Sequence, residues 1–283
     1  MQIVHSVKEM QSLAEQIRVQ GKRIGVVPTM GYLHPGHLSL IELARRESDV
    51  VVTTLFVNPT QFGEGEDFER YPRDLDRDKV LAQGAGTDIL FVPDANEMYP
   101  EGYGTFMNVE EVTGILEGAF RPGHFRGVAT IVLKLFNITK PHVAVFGQKD
   151  AQQLFVIQKL VGDLNLDVQI RVAPILRDVD GLALSSRNVY LKSDERLRAT
   201  ALSRSLNHAE ALVRAGERSV VRVKGEMQEI LRQADPMKID YLAFVDPSSF
   251  REVTTIEPPS LLIALAVRLG ATRLIDNILI PVA

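Results

Sequence analysis

Cysteine is absent from the 283-residue chain. Its absence excludes disulfide frameworks, thiolate zinc sites, iron–sulfur clusters and cysteine nucleophiles, and it agrees with a reducing compartment. Positive charge is not in excess either, because 32 Lys and Arg residues are balanced by 36 Asp and Glu residues, for a net charge of −4. This balance argues against a nucleic-acid partner or an anionic membrane, although a local basic pocket is compatible with it.

Long apolar runs are also missing. The longest, residues 261–267, has seven residues, whereas a helix that spans a bilayer needs about 20. The first 20 residues mix charged with apolar side chains and lack a cleavage site, so they do not resemble a signal peptide. Apolar residues recur there at helical spacing and predict an amphipathic helix: Val7, Met10, Ala14 and Ile17. We therefore expect a cytoplasmic protein.

What the chain does contain is the composition of a globular protein, with 45% apolar and 24% charged residues. Up to residue 172, short apolar runs alternate with helical patterns, which predicts a doubly wound α/β fold with a parallel sheet. The predicted strands are residues 24–27, 50–56, 88–92, 143–146 and 168–172. The predicted helices are residues 37–47, 75–83, 128–138 and 152–164.

The pattern changes near Pro174. Two helices are predicted at residues 193–215 and 220–233, the first with Ser193 as its N-cap. Apolar segments at residues 239–245, 261–267 and 277–280 then predict a small α+β domain with a mainly antiparallel sheet. The sequence thus predicts two domains, residues 1–175 and 176–283.

Neither a dinucleotide fingerprint nor a Walker A motif is present, so any phosphate must be bound by other means. In an open α/β sheet, ligands bind beyond the carboxyl ends of the strands. Small, cationic and amide residues follow four predicted strands, within residues 28–37, 58–62, 147–153 and 174–188. We therefore take the candidate site from these four segments.

The pair His34 and His37 is the sharpest feature among them. Two imidazoles that flank Pro35 and Gly36 at a helix start can face an anion over backbone N–H groups and the positive helix dipole. Two other interpretations stay open from the spacing alone. The histidines can cap the helix locally, or they can bind zinc with a third, distant ligand.

A second group of polar residues suits a polyphosphate. Lys149 supplies a point charge, Arg187 supplies a guanidinium that can bind two oxygens at once, and Ser185 and Ser186 supply hydroxyl donors. Taken alone, Lys149 with Asp150 is better explained as a surface ion pair, and the Ser-Ser-Arg run is better explained as an ordinary loop. It is their joint occurrence after predicted strands that favours a phosphate site.

Two glutamines, Gln61 and Gln153, are neutral donor–acceptors that can orient a hydroxylated carboxylate, although each alone could be a plain polar surface residue. Residues 121–127 form a compact basic turn that either contacts substrate or only organises its loop. Asp74, Asp76 and Asp78 start a predicted helix, and the helix dipole accounts for their position there.

At these residues the sequence closely resembles the pantothenate synthetase (pantoate–β-alanine ligase) family, within the nucleotidyltransferases that carry an HxGH signature. The resemblance extends over essentially the whole chain. It rests on PTMGYLHPGH at 28–37, NPTQF at 58–62, RPGHFRGV at 121–128, GQKD at 147–150, LSSRN at 184–188 and RLIDN at 273–277. Two positions depart from the family pattern, Thr60 in place of Met and Gln148 in place of Glu, and we expect them to alter packing and ATP affinity only slightly.

The resemblance implies an ATP- and Mg²⁺-dependent ligase that joins pantoate and β-alanine through a pantoyl adenylate. It implies a homodimer, with a Rossmann-like N-terminal domain and a C-terminal lid domain. His37, His34 and Lys149 would be catalytic, and Gln61 and Gln153 would bind pantoate, Gln61 also lying near β-alanine. The implied ATP site comprises Met30, Gly31, Tyr32, Leu33, His34, Pro35, Gly36, His37, Gly147, Gln148, Lys149, Asp150, Leu176, Leu184, Ser185, Ser186 and Arg187.

Two alternatives remain at this stage: another adenylyl transferase of the same superfamily, and a non-catalytic nucleotide-binding regulator. The first is disfavoured because Gln61 and Gln153 stand where a phosphorylated acceptor would need cations. A last expectation concerns residues 62–68, which contain two glycines and three acids without apolar periodicity, so that the loop would have no packing to lose on moving. We expect this loop, with the helix start near residues 71–73, to be mobile in the free enzyme and to close over bound ligands; the alternative is a plain solvated surface loop.

Overall fold

A computed structural model describes residues 1–282 and divides into two compact units. The larger unit contains Met1–Gln148 and Gln153–Pro174. The smaller unit contains Lys149–Gln152 and the chain from Ile175 onward. The assignment of residues 1–175 and 176–283 to separate domains stays a prediction.

Up to residue 174 the chain alternates strands with helices, as the sequence predicts. In chain order the elements are β1 (Gln2–Val4), α1 (Val7–Val19), β2 (Ile24–Thr29), α2 (Pro35–Glu47), β3 (Val50–Leu55), α3 (Leu75–Ala85), β4 (Ile89–Phe91), α4 (Ala95–Met98), α5 (Glu117–Phe120), α6 (His124–Thr139), β5 (Val143–Gly147), α7 (Ala151–Asp163) and β6 (Gln169–Ala173). Single 3₁₀ turns lie at Pro59–Gln61, Val112–Gly114 and Gln148–Asp150.

These six strands form one parallel sheet in the order β1-β4-β3-β2-β5-β6. The predicted doubly wound α/β fold is confirmed. Strand β1, which pairs with β4, was missed because three residues are too few to show a period of two. Neighbouring strand residues point to opposite faces, so Val26 packs in the core with α1 and α6, whereas Val27 packs in the core with α2.

The centre of the sheet opens at the carboxyl end of β2. There β2 pairs with β3 from Ile24 to Thr29, but it pairs with β5 only at Gly25 and Val26. Pro28, which has no N–H to donate, lies beyond the last pair with β5. The strand order also reverses between β2 and β5, the position at which open α/β sheets bind ligands.

The smaller unit contains a three-stranded antiparallel sheet in the order β7-β8-β9, so the predicted α+β architecture is confirmed. Its elements are α8 (Ser193–Ala199), α9 (Ala201–Arg214), α10 (Val220–Arg232), β7 (Met237–Val245), β8 (Ser260–Leu269) and β9 (Thr272–Pro281). Leu202, Leu206 and Met227 pack with Ile263 and Leu265 in its core.

Two predictions about the first helix of this unit were wrong. The single helix predicted at residues 193–215 is broken at Thr200, whose hydroxyl donates to the carbonyl of Leu197 at 2.7 Å. Such a bond competes with the helical ladder. The N-cap is Lys192 rather than Ser193, because Glu195 accepts the Lys192 backbone N–H at 2.9 Å.

None of the helices within residues 1–282 is both long and apolar enough to cross a membrane.

Candidate active site

The loop after β2 leads directly into α2 and carries both predicted catalytic histidines. His34 is the N-cap of α2, and its Nδ1 accepts the Gly36 backbone N–H at 3.1 Å. His37 lies in the first turn, and its Nδ1 accepts the His34 backbone N–H at 3.3 Å. The two rings are 4.0 Å apart between centroids. The histidines therefore form a reciprocal cap, which is the local role that the sequence left open.

This cap also decides which ring nitrogen can meet a ligand. A neutral imidazole has one N–H donor and one acceptor nitrogen. Because Nδ1 of His34 and of His37 accepts from the backbone, the proton of each neutral ring resides on Nε2. Each Nε2 is then a hydrogen-bond donor, at the positive end of a helix that begins with Pro35. This chemistry suits phosphate oxygens.

Asp78 holds the start of the same loop, a role that sequence reasoning missed. Asp74 caps α3 by accepting the Arg77 N–H at 3.1 Å, as the dipole argument expects. Asp78 instead is buried and accepts the N–H groups of Tyr32 and Leu33, both at 2.7 Å. Burial raises the pKa of Asp78 above its usual value, even though both hydrogen bonds oppose the shift. The spacing of three acids on one helix could not separate these roles.

Gln61, the predicted pantoate residue, is buried on the 3₁₀ turn after β3. Its Oε1 accepts from Asn58 Nδ2 at 3.3 Å, and its Nε2 donates to the sulfur of Met30 at 2.9 Å. Asn58 Oδ1 in turn accepts the hydroxyl of Tyr99 at 2.9 Å. Burial raises the pKa of Tyr99 to about 12, so this hydroxyl stays a donor. The side chain of Gln61 is thus held by neutral groups.

Gly127 allows α6 to approach this turn closely. A Cβ atom at Gly127 would lie 2.3 Å from the carbonyl oxygen of Thr60, closer than any real contact. The Gly127 carbonyl accepts from Asn58 Nδ2 at 3.2 Å. Thr60, one of the two departures from the family pattern, donates its hydroxyl to Asn58 Oδ1 at 3.0 Å. The threonine therefore joins the polar network, in addition to altering the packing.

The basic turn at residues 121–127 organises the backbone of Gln61. The Arg121 guanidinium binds both carboxylate oxygens of Glu66 at 2.7 Å and donates to His124 Nε2 at 3.0 Å. His124 Nδ1 donates to the Gln61 carbonyl at 2.8 Å. Burial, assisted by the charge of Arg121, lowers the pKa of His124 to about 4. The Gln61 carbonyl therefore accepts from a neutral histidine and, at 3.4 Å, from Arg121 itself.

The loop at residues 62–68 has more packing than its sequence indicates. Phe62 contacts Phe68 and Tyr71, with ring centroids 5.3 Å and 6.0 Å away. Glu66 is paired with Arg121, and although burial raises its pKa, the hydrogen bonds and charge of Arg121 outweigh burial and lower the pKa overall. The premise that this loop has no packing to lose was wrong, whereas its closure over ligands stays a prediction.

Lys149 lies on the 3₁₀ turn after β5, and its carbonyl accepts from Asn277 Nδ2 at 2.9 Å. The neighbouring Asp276, also buried, accepts from the Arg177 guanidinium at 2.6 Å and 3.0 Å. The RLIDN motif at 273–277 therefore fixes the backbone of Lys149 and the side chain of Arg177, which follows Leu176 in the chain. Sequence reasoning gave this motif no structural role.

The Ser-Ser-Arg run is a capped turn. Ser185 Oγ accepts the Arg187 N–H at 3.3 Å and caps a 3₁₀ turn at Ser186–Tyr190. The Leu184 N–H donates to the carbonyl of Leu176 at 2.9 Å, which brings these two predicted ATP residues together. Ser185 thus has a local capping role, and the half-buried Arg187 supplies the charge of the turn.

The predicted site residues are divided between the two units. The larger unit holds Met30–His37, Gln61, Gly147 and Gln148, with Gln153 half-buried in the first turn of α7. The smaller unit holds Lys149, Asp150, Leu176 and residues 184–187. Within residues 1–282, no group of three or more His, Asp or Glu side chains could hold a metal ion.

Comparison with known proteins gives a match to one family model, described as "Pantoate-beta-alanine ligase", over residues 2–279. Two relatives called pantothenate synthetase illustrate the similarity. That of Caldicellulosiruptor bescii is 51% identical over 280 residues, covering 99% of both chains. That of Heliobacterium modesticaldum is 53% identical over 282 residues, covering 100% of both.

Solved structures agree with these sequence matches. Pantothenate synthetase from Thermus thermophilus superimposes with a TM-score of 0.93 at 45% identity, covering 98% of this chain and 99% of that one. The pantoate-β-alanine ligase of Francisella tularensis, which was crystallised with β-γ ATP and β-alanine, gives a TM-score of 0.81 at 35% identity. It covers 99% of this chain and 97% of its own.

Proposed function

This chain belongs to the pantoate–β-alanine ligase family, and on that premise we propose how its residues carry out the reaction. It is an ATP-dependent ligase that joins pantoate to β-alanine to form pantothenate. Because the family match extends from residue 2 to residue 279, this function replaces both alternatives left open by the sequence, another adenylyl transferase and a non-catalytic regulator.

The reaction proceeds through two displacements. The pantoate carboxylate attacks the α-phosphorus of ATP, which forms a pantoyl adenylate and releases pyrophosphate. The β-alanine amine then attacks the acyl carbon, loses a proton and releases AMP. A carboxyl group with a pKa near ~4 is already ionised at pH 7, so the first step needs no general base. It needs positioning and stabilisation of developing negative charge.

The reciprocal histidine cap is the observation that carries the assignment of this charge stabilisation. Both Nδ1 atoms accept backbone N–H groups, so the Nε2–H groups of His34 and His37 are preorganised donors at a helix N-terminus. They lie after β2, where the strand order reverses. In this assignment the two histidines and Lys149 stabilise the phosphates and the leaving pyrophosphate, and His37 has the main catalytic role.

Pantoate is assigned to Gln61 and Gln153. The side chain of Gln61 is bound by an amide and a thioether, whereas its backbone carbonyl accepts from the neutral His124 and, at 3.4 Å, from the Arg121 guanidinium. Neutral side-chain partners let the Gln61 amide orient an ionised carboxylate and hydroxyl groups without neutralising the nucleophile. In this assignment Gln61 also contacts β-alanine.

ATP is assigned to three segments of the chain: Met30, Gly31, Tyr32, Leu33, His34, Pro35, Gly36 and His37; Gly147, Gln148, Lys149 and Asp150; and Leu176, Leu184, Ser185, Ser186 and Arg187. Mg²⁺ would be held by the phosphate oxygens of ATP, which are ligands that it prefers, and it would neutralise part of their charge. A homodimer, a cytoplasmic location and a lid role for residues 176–283 complete the proposal.

An isotope-exchange assay tests the order of steps. Exchange of labelled pyrophosphate into ATP should require pantoate and proceed without β-alanine, whereas AMP should accumulate over many turnovers only when both acids are present. Pyrophosphate–ATP exchange that requires β-alanine would rule out an adenylation step that precedes β-alanine binding. His37→Ala should suppress the exchange if the histidine cap is the phosphate site.

A further inference from the structure

Asp78 contacts the nucleotide loop without belonging to the assigned ATP site. Its side chain is only 3% exposed. One carboxylate oxygen accepts the Tyr32 N–H and the other accepts the Leu33 N–H, both at 2.7 Å. The cation of Arg77 lies 3.6 Å away, and its guanidinium also lies over the ring of Tyr32, 5.0 Å from the centroid. The carboxylate is therefore stabilised mainly by two consecutive backbone N–H groups.

Two successive N–H groups of this turn converge on one anion. Gly31 and Tyr32 both have positive φ, +88° and +50°. Concave turns in which successive N–H groups converge in this way bind anions, phosphate among them, in many proteins. Here the convergent groups of Tyr32 and Leu33 bind a carboxylate of the chain itself. Tyr32 has a side chain, so its left-handed conformation is disfavoured unless a contact of this kind holds it.

The turn directly precedes the histidine cap. Leu33 is fully buried, and the next residue, His34, is the N-cap of α2. The Leu33 N–H is bound to Asp78 and the His34 Nδ1 to the Gly36 N–H, so hydrogen bonds restrict the backbone on both sides of the peptide between Leu33 and His34. A change of conformation at Tyr32 would therefore be passed to the start of α2, where both imidazoles lie.

We propose that Asp78 is a positioning residue for adenylation. Its carboxylate occupies the anion position of the turn at Gly31 and Tyr32, and thereby sets His34 and His37 for the phosphates of ATP. This inference rests on the proposed function, because it takes the loop at Met30–His37 as the nucleotide site. Asp78 contacts the loop rather than the substrate, so it acts through the histidines.

The chemistry of the clamp requires a carboxylate. Both oxygens accept hydrogen bonds, so asparagine, although equal in size, would place an amide NH₂ against one of two N–H donors. Asp78→Asn should then release either Tyr32 or Leu33 while leaving the packing of α3 in place. Asp76→Asn is the matched control, since it makes the same change on the same turn at a side chain that is 96% exposed.

The experiment measures the two half-reactions separately. Asp78→Asn should slow pantoate-dependent pyrophosphate–ATP exchange by about 10- to 100-fold, the effect of a small misplacement of catalytic groups. Pantothenate formation from synthetic pantoyl adenylate and β-alanine, which no longer involves the β- and γ-phosphates, should be nearly unchanged. Asp76→Asn should match the wild type in both assays. Equal loss in both half-reactions would make Asp78 a merely structural residue and overturn the proposal.

A second measurement uses the wild-type protein, so it tests the hydrogen bonds of Asp78 even if Asp78→Asn fails to fold. The Tyr32 and Leu33 amides should exchange with deuterium far more slowly than those of an unstructured loop, and exchange at loop rates would overturn the proposal. A His37→Ala variant distinguishes a failure of the proposed nucleotide site from a failure of the role of Asp78. If it leaves pyrophosphate exchange intact, the proposed nucleotide site is wrong. If it slows exchange and Asp78→Asn does not, only the role of Asp78 is wrong.

Discussion

Asn277 donates its side-chain N–H to the backbone carbonyl of Lys149 at 2.9 Å, although 128 positions separate the two residues in the chain. Asn277 is buried, and its own N–H donates to Asp276, which binds Arg177 through both carboxylate oxygens. A strand of the antiparallel sheet thus fixes the backbone of a predicted catalytic lysine. This contact gives the RLIDN motif a function that its residue types alone do not indicate.

The Lys149 contact leads to a first prediction. Asn277→Ala should lower kcat for adenylation about tenfold, because a released Lys149 backbone places its ammonium less well. The loss of a buried hydrogen bond should also cost about 1 kcal/mol of unfolding free energy. Asn207→Ala, an exposed position on α9, is the matched control. A Lys149→Met/Asn277→Ala double variant should be no slower than Lys149→Met, and additive losses would contradict the coupling.

The histidine cap allows stability and catalysis to be separated at His34. Replacing an N-cap with Ala costs about 0.5–2 kcal/mol, whereas Asn is itself a good N-cap. His34→Ala should therefore lower both Tm and the adenylation rate. His34→Asn should keep Tm near the wild-type value, yet lose the Nε2 donor and lower kcat by ~10²–10³. A His34→Asn variant with normal adenylation would restrict the residue to a capping role.

The pantoate assignment is tested by comparing two Michaelis constants. Gln61→Ala and Gln153→Ala should raise KM for pantoate much more than KM for ATP, because polar groups of the substrate lose partners worth roughly 1–3 kcal/mol each. Gln83→Ala, at an exposed position of α3, should change neither constant. Parallel increases in both constants would count against a specific role in holding pantoate.

The neutral state of His124 predicts a dependence of stability on pH. Its pKa falls from 6.5 to about 4 on folding, so between these pH values His124 is protonated in the unfolded chain and neutral in the folded chain. Stability from this group is complete above pH 6.5 and is lost as pH falls towards 4, by at most about 3 kcal/mol. Urea unfolding at pH 7.5, 6 and 5 should show His124→Gln less sensitive to acid than the wild type. Parallel curves would mean that folding does not shift the pKa of His124, which would contradict the prediction.

Local pattern was enough to predict most of the architecture. The five strands predicted in the larger unit and the three in the smaller one all exist, because burial imposes a period that short-range composition reveals. Errors arose where a single hydrogen bond decides the outcome. Thr200 breaks a helix through its hydroxyl, and Lys192 replaces Ser193 as N-cap through Glu195. Neither bond changes the apolar period, so neither appears in the pattern.

For the site, the sequence by itself determined which residue types follow which strands, and a family resemblance over the whole chain completed the assignment. Only the tertiary structure decided the partners of those residues. Asp78 differs from Asp74 and Asp76 through burial against Tyr32 and Leu33, and Gln61 is oriented by Asn58 and His124. The contacts of Asp78 with Tyr32 and of His124 with Gln61 join residues 46 and 63 positions apart. A hydrogen bond depends on distance in space, which periodicity and composition along the chain do not contain.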